Sequence, residues 1–213
     1  MQYSKHKFII ILTLLAVIGL SVPLLGPISG KAVDGCSGNP PSTSKIIEVN
    51  INLIDENGSN VIFKDLLGSL NLIYFGYSFC PDICPIDLGR NIEINEIIGD
   101  KHEKISTFFV TVDPIRDTPS RLKEYTDLLD ESLIGLTGTI EQVEMAKKNF
   151  MVYGSKSTSE ENYLVDHSTF TYLIGGDGKL LRHFKRQDTP GYMKKTIECL
   201  IETAENKNGL IQK

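Results

Sequence analysis

Hydrophobic and polar positions fall into three patterns along the chain. From Phe8 to Leu25 eighteen consecutive residues carry no charge, with Lys5 and Lys7 just before them. At ~1.5 Å per residue such a run spans about 27 Å as a helix, close to the hydrocarbon thickness of a bilayer. A second pattern begins at Ile46, where apolar and polar residues alternate to Leu53. Asp55-Glu56-Asn57-Gly58 then supplies a turn and Asn60 to Phe63 returns, which predicts a β-hairpin. Lys64 to Leu67 predicts a short helical turn. The third pattern is continuous apolarity, in Leu70 to Phe75 and Ile105 to Val112, which suits strands buried on both faces.

The remaining elements follow from caps and turns. Ile86 to Ile98 predicts a helix closed by Gly99, and Pro85 disfavours helical geometry at Cys84, so this helix is expected to start at Pro85. Thr118 and Pro119 have the N-cap and first-position chemistry of a second helix. Leu133 to Leu136 reads as a short strand, and Thr139 caps a third helix ending near Phe150, with Glu141 and Glu144 in its N-terminal half. Lys156 to Asn162 is a polar loop of the kind found beside binding sites. Phe170 to Ile174 and Lys179 to Phe184, joined by Gly175-Gly176-Asp177-Gly178, form a second hairpin. Pro190 to Ala204 closes the domain as a helix with Met193, Ile197, Leu200 and Ala204 on one face. Strands alternating with helices, plus hairpins, predict a mixed α/β sheet covered by helices on both faces.

Composition narrows the partners. The chain of 213 residues carries a net charge of −5; all 27 acidic residues and 20 of the 22 basic ones lie beyond the apolar run, leaving the rest at −7. Nucleic acid is excluded as a partner, because phosphate binding needs clustered positive charge. Four cysteines are too few for a disulfide scaffold. The organisation expected is a cytoplasmic basic flank over residues 1–7, a membrane anchor over 8–28, a flexible Gly/Ser/Pro-rich linker over 29–44, one domain over 45–205 and a tail over 206–213. A cleavable signal has a shorter apolar core of ~7–15 residues, so the anchor is favoured, with cleavage near Gly30 to Ala32 as the alternative. The domain is therefore expected outside a bacterial cell membrane, on the periplasmic side.

The candidate chemistry lies at Tyr74-Phe75-Gly76-Tyr77-Ser78-Phe79-Cys80-Pro81-Asp82-Ile83-Cys84-Pro85, between a buried strand and a helix. Open α/β sheets place their sites at such strand ends. Unpaired N–H groups in the first turn of a helix lower the pKa of a nearby thiol. Two adjacent thiolates suit soft-metal binding or disulfide exchange, and the Cys-x-x-x-Cys spacing is one residue longer than that of thioredoxin-type motifs. The stretch resembles the signature of the Sco/SenC family of copper-handling, thioredoxin-like proteins. Thr111 to Pro119, Ile134 to Thr139 and Asp166-His167-Ser168-Thr169 resemble its later motifs, in family order.

That resemblance implies a thioredoxin-like fold behind the anchor helix, and His167 as a third copper ligand with Cys80 and Cys84. Asp166 is a candidate to support the imidazole from outside the ligand set, or simply to cap a loop. Two thiolates and one imidazole favour Cu(I), with Cu(II) held if an oxygen completes the site; a structural zinc would need a fourth protein ligand. The implied function is copper delivery to, or thiol reduction at, the dinuclear copper centre of cytochrome c oxidase, with the copper-accepting subunit as partner and other periplasmic copper or thiol carriers as further ones. A membrane-tethered thiol–disulfide oxidoreductase cycling Cys80 and Cys84 is the alternative, and a peroxidase a weaker third. His6, His102 and His183 lack comparable context. Cys36 reads as an exposed free thiol in the linker, and Cys199 as a thiol without a function.

Overall fold

The computed structural model describes residues 45–99, 105–157 and 163–209. The anchor, the linker, Cys36, His6, His102 and the C-terminal tail from 210 onward lie outside these residues. Among the described residues no helix is long and apolar enough to cross a membrane. In chain order come β1 (Asn52–Asp55), β2 (Asn60–Ile62), a 3-10 turn (Phe63–Leu66), β3 (Leu70–Gly76), α1 (Ile83–Gly99), β4 (Ser106–Thr111), α2 (Pro119–Leu129) and β5 (Leu133–Thr137). They are followed by α3 (Ile140–Phe150), β6 (Gly154–Lys156), β7 (Val165–His167), β8 (Thr171–Gly175), β9 (Leu180–Phe184) and α4 (Pro190–Gly209).

Seven strands form one sheet in the order β2-β1-β5-β4-β3-β8-β9. Its centre is parallel, with Tyr74 beside Phe109 and Phe109 beside Gly135, whereas β8 runs antiparallel to β3 with Tyr74 beside Thr171. The central strands are sealed on both faces, as their unbroken apolarity requires: Leu72, Ile73, Tyr74 and Phe75 are all buried. Neighbouring residues of a strand point to opposite faces, which assigns the helices. Tyr74 reaches Asp87 of α1, and Phe109, in register with Tyr74, meets Tyr125 of α2 at 5.3 Å between ring centres. Leu72 on the same face packs with Ile94 and Ile98 of α1 and with Met193 and Ile197 of α4. Phe75, on the other face, packs on Phe150 of α3 at 5.1 Å and on Tyr172 at 6.1 Å. Each buried phenylalanine contributes about 1.5–3 kcal/mol through removal from water.

The caps act as their sequence predicts. The Thr118 hydroxyl accepts from the Arg121 N–H with Pro119 behind it, and Thr139 with Gln142 closes a reciprocal capping box. Two expectations change. Helix α1 starts at Ile83, two residues before the expected Pro85, so Cys84 lies within its first turn. Pro85 is tolerated there because N–H groups of a first turn have no acceptor within the helix. The segment around Lys156 is not simply a loop: β6 and β7 form a separate two-stranded hairpin, with Gly154 paired to His167 and Lys156 to Val165. Residues 158–162 of the expected polar loop lie outside the described residues.

Candidate metal centre

Strand β3 delivers the cysteine loop at its C-terminal end. The loop folds back as a turn closed by the Cys80 N–H on the Tyr77 carbonyl, at 3.1 Å. Its floor is a buried carboxylate: Asp117, ahead of α2, accepts from the Ser78 N–H at 3.1 Å, the Ser78 hydroxyl at 2.6 Å and the Thr111 hydroxyl at 2.6 Å. Burial, with the nearby Asp113 charge adding to it, pushes the Asp117 carboxyl up, and the Ser78 and Thr111 donors oppose that push. The loop is thus fixed to the end of β4 two residues before Cys80.

The sulfurs differ in setting. Cys84 is fully buried and Cys80 is partly exposed. The Cys84 N–H donates to the Cys80 Sγ at 3.4 Å, so this sulfur takes up one of the orphan donors that open α1. Hydrogen bonding from the Cys84 thiol pulls the Cys80 pKa down to about 3 against the opposing effect of burial. The Cys84 thiol is pushed up, because it supplies that hydrogen bond and is buried. The free pair therefore holds one negative charge, carried mainly by the more exposed sulfur. Gly76 makes room for the other: a Cβ there would lie 2.7 Å from Cys84 Sγ and 2.9 Å from Phe109 Cε2. Beneath them the buried Tyr74 hydroxyl donates to Asp87 Oδ2 at 3.2 Å, and burial beside two acidic groups keeps this phenol protonated. Asp87 in turn faces Arg90 at 3.6 Å, whose guanidinium donates to the Lys185, Arg186 and Asp188 carbonyls.

The imidazole arrives from the hairpin. His167 closes β7 with its Nε2 3.4 Å from Cys84 Sγ. Its Nδ1 lies 2.9 Å from the Ser168 carbonyl, an atom that can only accept, so Nδ1 carries a proton. In the neutral ring that leaves the Nε2 lone pair facing the sulfurs. The edges of Tyr77 and Tyr74 box the ring at 5.7 and 6.2 Å between centres. The ligand atoms of Cys80, Cys84 and His167 all lie within 4.8 Å of one another. Cys80 and His167 line a groove of about 430 Å³, whose walls also include Tyr153, Leu164 and Asp166, while Cys84 is buried.

The structure thus brings together the three residues singled out as ligands, although 83 positions separate Cys84 from His167. Asp166 stands apart in role. It is exposed, and among the described residues no hydrogen bond joins its carboxylate to the imidazole; the Ser168 carbonyl orients the ring instead. His183 packs on Phe170 away from the three ligands. Cys199 on α4 is disulfide-bonded, which corrects the reading of it as a free thiol. Sequence reasoning gave no role to Tyr74, Gly76, Ser78, Arg116 or Asp117. Its available signal was a buried-strand pattern ending in Thr111-Val112-Asp113, where acidic side chains at the end of an apolar strand need partners.

A central parallel strand ending in two free thiols, with an imidazole delivered opposite them, defines a thioredoxin-like protein with a soft-ligand site. This chain belongs to the SCO1/SenC family, whose model matches residues 40–202. It is 38% identical over 199 residues to the SCO2-like protein of Rickettsia felis, covering 89% of this chain and 94% of that one. It is 35% identical over 191 residues to Protein SenC of Rhodobacter capsulatus, covering 89% and 86%. The solved structure of Arabidopsis thaliana ScoI with copper bound superposes with a TM-score of 0.70 at 30% identity, over 75% of this chain and 99% of that one.

Proposed function

We propose that this protein is a copper chaperone that binds one copper ion through Cys80, Cys84 and His167 and takes part in assembling the copper centre of cytochrome c oxidase. The observation that carries this reading is the convergence of two sulfurs and an Nε2 lone pair within 4.8 Å. Thiolates are soft donors and three ligands suit Cu(I), whereas zinc in a structural site takes four protein ligands. A relative at 30% identity, the Arabidopsis ScoI, carries copper in its solved structure. Copper is the cargo. The chain holds it between a sulfur that is already ionised and one that gives up its proton on binding, and a metal bound this way releases protons.

The protein acts from the membrane. Residues 8–28 anchor it with residues 1–7 in the cytoplasm, and the domain faces the periplasm, where it meets the copper-accepting subunit of the oxidase. This rests on the uncharged run behind Lys5 and Lys7. Protease added to spheroplasts is expected to digest the domain and leave a small membrane fragment; full-length protein in the cytosolic fraction contradicts the topology.

Thiol–disulfide exchange with a partner protein is the second reading, favoured by the ionised, partly exposed Cys80 beside the Cys84 thiol. Both uses need the same sulfurs, so they exclude one another at any instant. Copper titration of reduced and oxidised full-length protein tests the pair: one equivalent bound tightly when reduced and none when oxidised is expected. Equal uptake in both states means that the ligands lie elsewhere.

A further inference from the structure

Hairpin β6–β7 carries His167 but has no ladder to the seven-stranded sheet. Its attachments are the burial of Tyr163 and Val165 against the core, a hydrogen bond between Tyr77 and the Val165 backbone, and polar side-chain contacts. The Lys147 ammonium donates to the Gly154 carbonyl of β6 at 3.1 Å. Where the chain enters β7, Arg116 takes over. Its Nη1 donates to the Tyr163 carbonyl at 2.9 Å, its Nε donates to Asp113 Oδ2 at 2.6 Å, and its Cζ lies 3.7 Å from the centre of the Tyr163 ring. The Tyr163 hydroxyl donates to the other Asp113 oxygen, Oδ1, at 2.8 Å. Asp113 is buried, so it offers this pair a fixed base.

The same guanidinium also touches the cysteine loop, lying 4.8 Å from the Phe79 ring centre and 5.6 Å from that of Tyr77. Phe79 directly precedes Cys80, and Tyr77 packs edge-on to the His167 ring. One planar cation therefore joins the two segments that bear ligands, four residues from His167 on one side and next to Cys80 on the other. Only an arginine can fork between a carboxylate and a carbonyl while stacking on aromatic faces.

We propose that Arg116 is the positioning residue that sets the His167 imidazole over the Cys80–Cys84 pair, by pinning the β6–β7 hairpin to the cysteine loop. This deepens the copper reading for one half of its test and is independent of it for the other half. The thiol pair is held by Asp117, Gly76 and α1, so loss of Arg116 leaves the sulfurs in place and frees the imidazole. Cu(I), which the sulfurs dominate, is little affected. Cu(II), which depends more on the harder imidazole donor, is weakened.

The first half uses copper-free full-length protein. In Arg116→Met, amide hydrogen exchange from Tyr163 to Ser168 is expected to rise by at least about tenfold while β3 and α1 keep their protection. Unchanged exchange in that segment overturns the proposal, whatever the protein does with copper. The second half is a double-mutant cycle with His167→Ala, read as Cu(II) affinity and as the thiolate-to-copper absorption band. Arg116→Met alone is expected to weaken Cu(II) about 10–100-fold, the range typical of losing a residue that orients a ligand, and to shift the band. Cu(I) affinity is expected to stay within about threefold, and Arg116→Met is expected to add nothing in the His167→Ala background. Losses that multiply in the cycle overturn the proposal, because Arg116 then does not act through His167. A wild-type Cu(II) affinity indifferent to His167→Ala contradicts the ligand set instead, and the exchange measurement still decides the pin. Arg116→Lys retains charge and stem but not the fork, and carries the same readouts if the methionine variant does not fold.

Discussion

The two halves of the candidate centre are built differently. The cysteine corner is made of neighbours in sequence at the end of the central strand: Gly76 leaves space for a sulfur, Asp117 fixes the loop, and the first turn of α1 holds Cys84. The histidine half comes from a three-residue strand outside the main sheet, held by the Ser168 N–H on the Tyr153 carbonyl and by the side chains of Lys147 and Arg116. A corner locked by the central sheet keeps its geometry through a reaction, whereas a hairpin without a ladder to that sheet, held by the burial of Tyr163 and Val165 and by a few polar contacts, opens at lower cost. Such a division suits a carrier that must grip its cargo and also release it. On the proposed function the dithiol sets the grip on copper, and the imidazole adjusts it.

The largest effect expected from this comparison falls on the sulfurs. Cys80→Ala or Cys84→Ala is expected to weaken Cu(I) by roughly two to three orders of magnitude, one ligand's share of the ~10–16 kcal/mol typical of four-ligand structural sites. Competition with a Cu(I) chelator measures it, and a loss below tenfold for both variants removes the sulfurs from the site.

Reactivity distinguishes the two thiols almost as sharply. The Cys80 thiol, pulled down to about 3, stays ionised as pH falls from neutrality and loses its thiolate only near that value. Its alkylation rate is therefore expected to be nearly flat between about pH 8 and pH 5, where an ordinary thiol with pKa ~8.5 loses nearly three orders of magnitude. Mass spectrometry of the alkylated chain is expected to find Cys80 modified first, since Cys84 is buried. A rate that falls tenfold per pH unit across this range contradicts the charge assignment.

The histidine side gives a smaller, oxidation-state-selective effect. His167→Ala is expected to cost Cu(II) about 10–100-fold and Cu(I) less, and titration with each ion checks the order. The smallest effect belongs to the loop's floor. Asp117→Asn keeps the shape but replaces one acceptor oxygen of a buried cluster, and is expected to lower stability by about 1–3 kcal/mol in urea denaturation.

The same division explains what could be read from the chain alone. The cysteine corner was legible because its determinants are contiguous: a buried-strand run, then Cys-Pro-Asp-Ile-Cys-Pro. So were the caps at Thr118 and Thr139, which act within one helical turn. His167 could be picked out only through the resemblance of Asp166-His167-Ser168 to a family motif, because β6 and β7 are too short and too polar to show a strand period. The start of α1 was misplaced because a local rule for residues before proline lost to the packing of Cys84 beneath Gly76. Arg116 and Asp117 sat in a recognised stretch without a role, since their partners at Tyr163 and Ser78 lie 47 and 39 positions away.

The central claim is that two sulfurs and one nitrogen hold a single copper ion. X-ray absorption at the copper edge of the reduced full-length chain, loaded with one equivalent of Cu(I), reads that donor set directly. Two sulfurs and one imidazole nitrogen are expected, with the nitrogen lost in His167→Ala. A shell of sulfur alone in the wild-type chain, or one without sulfur, contradicts the account.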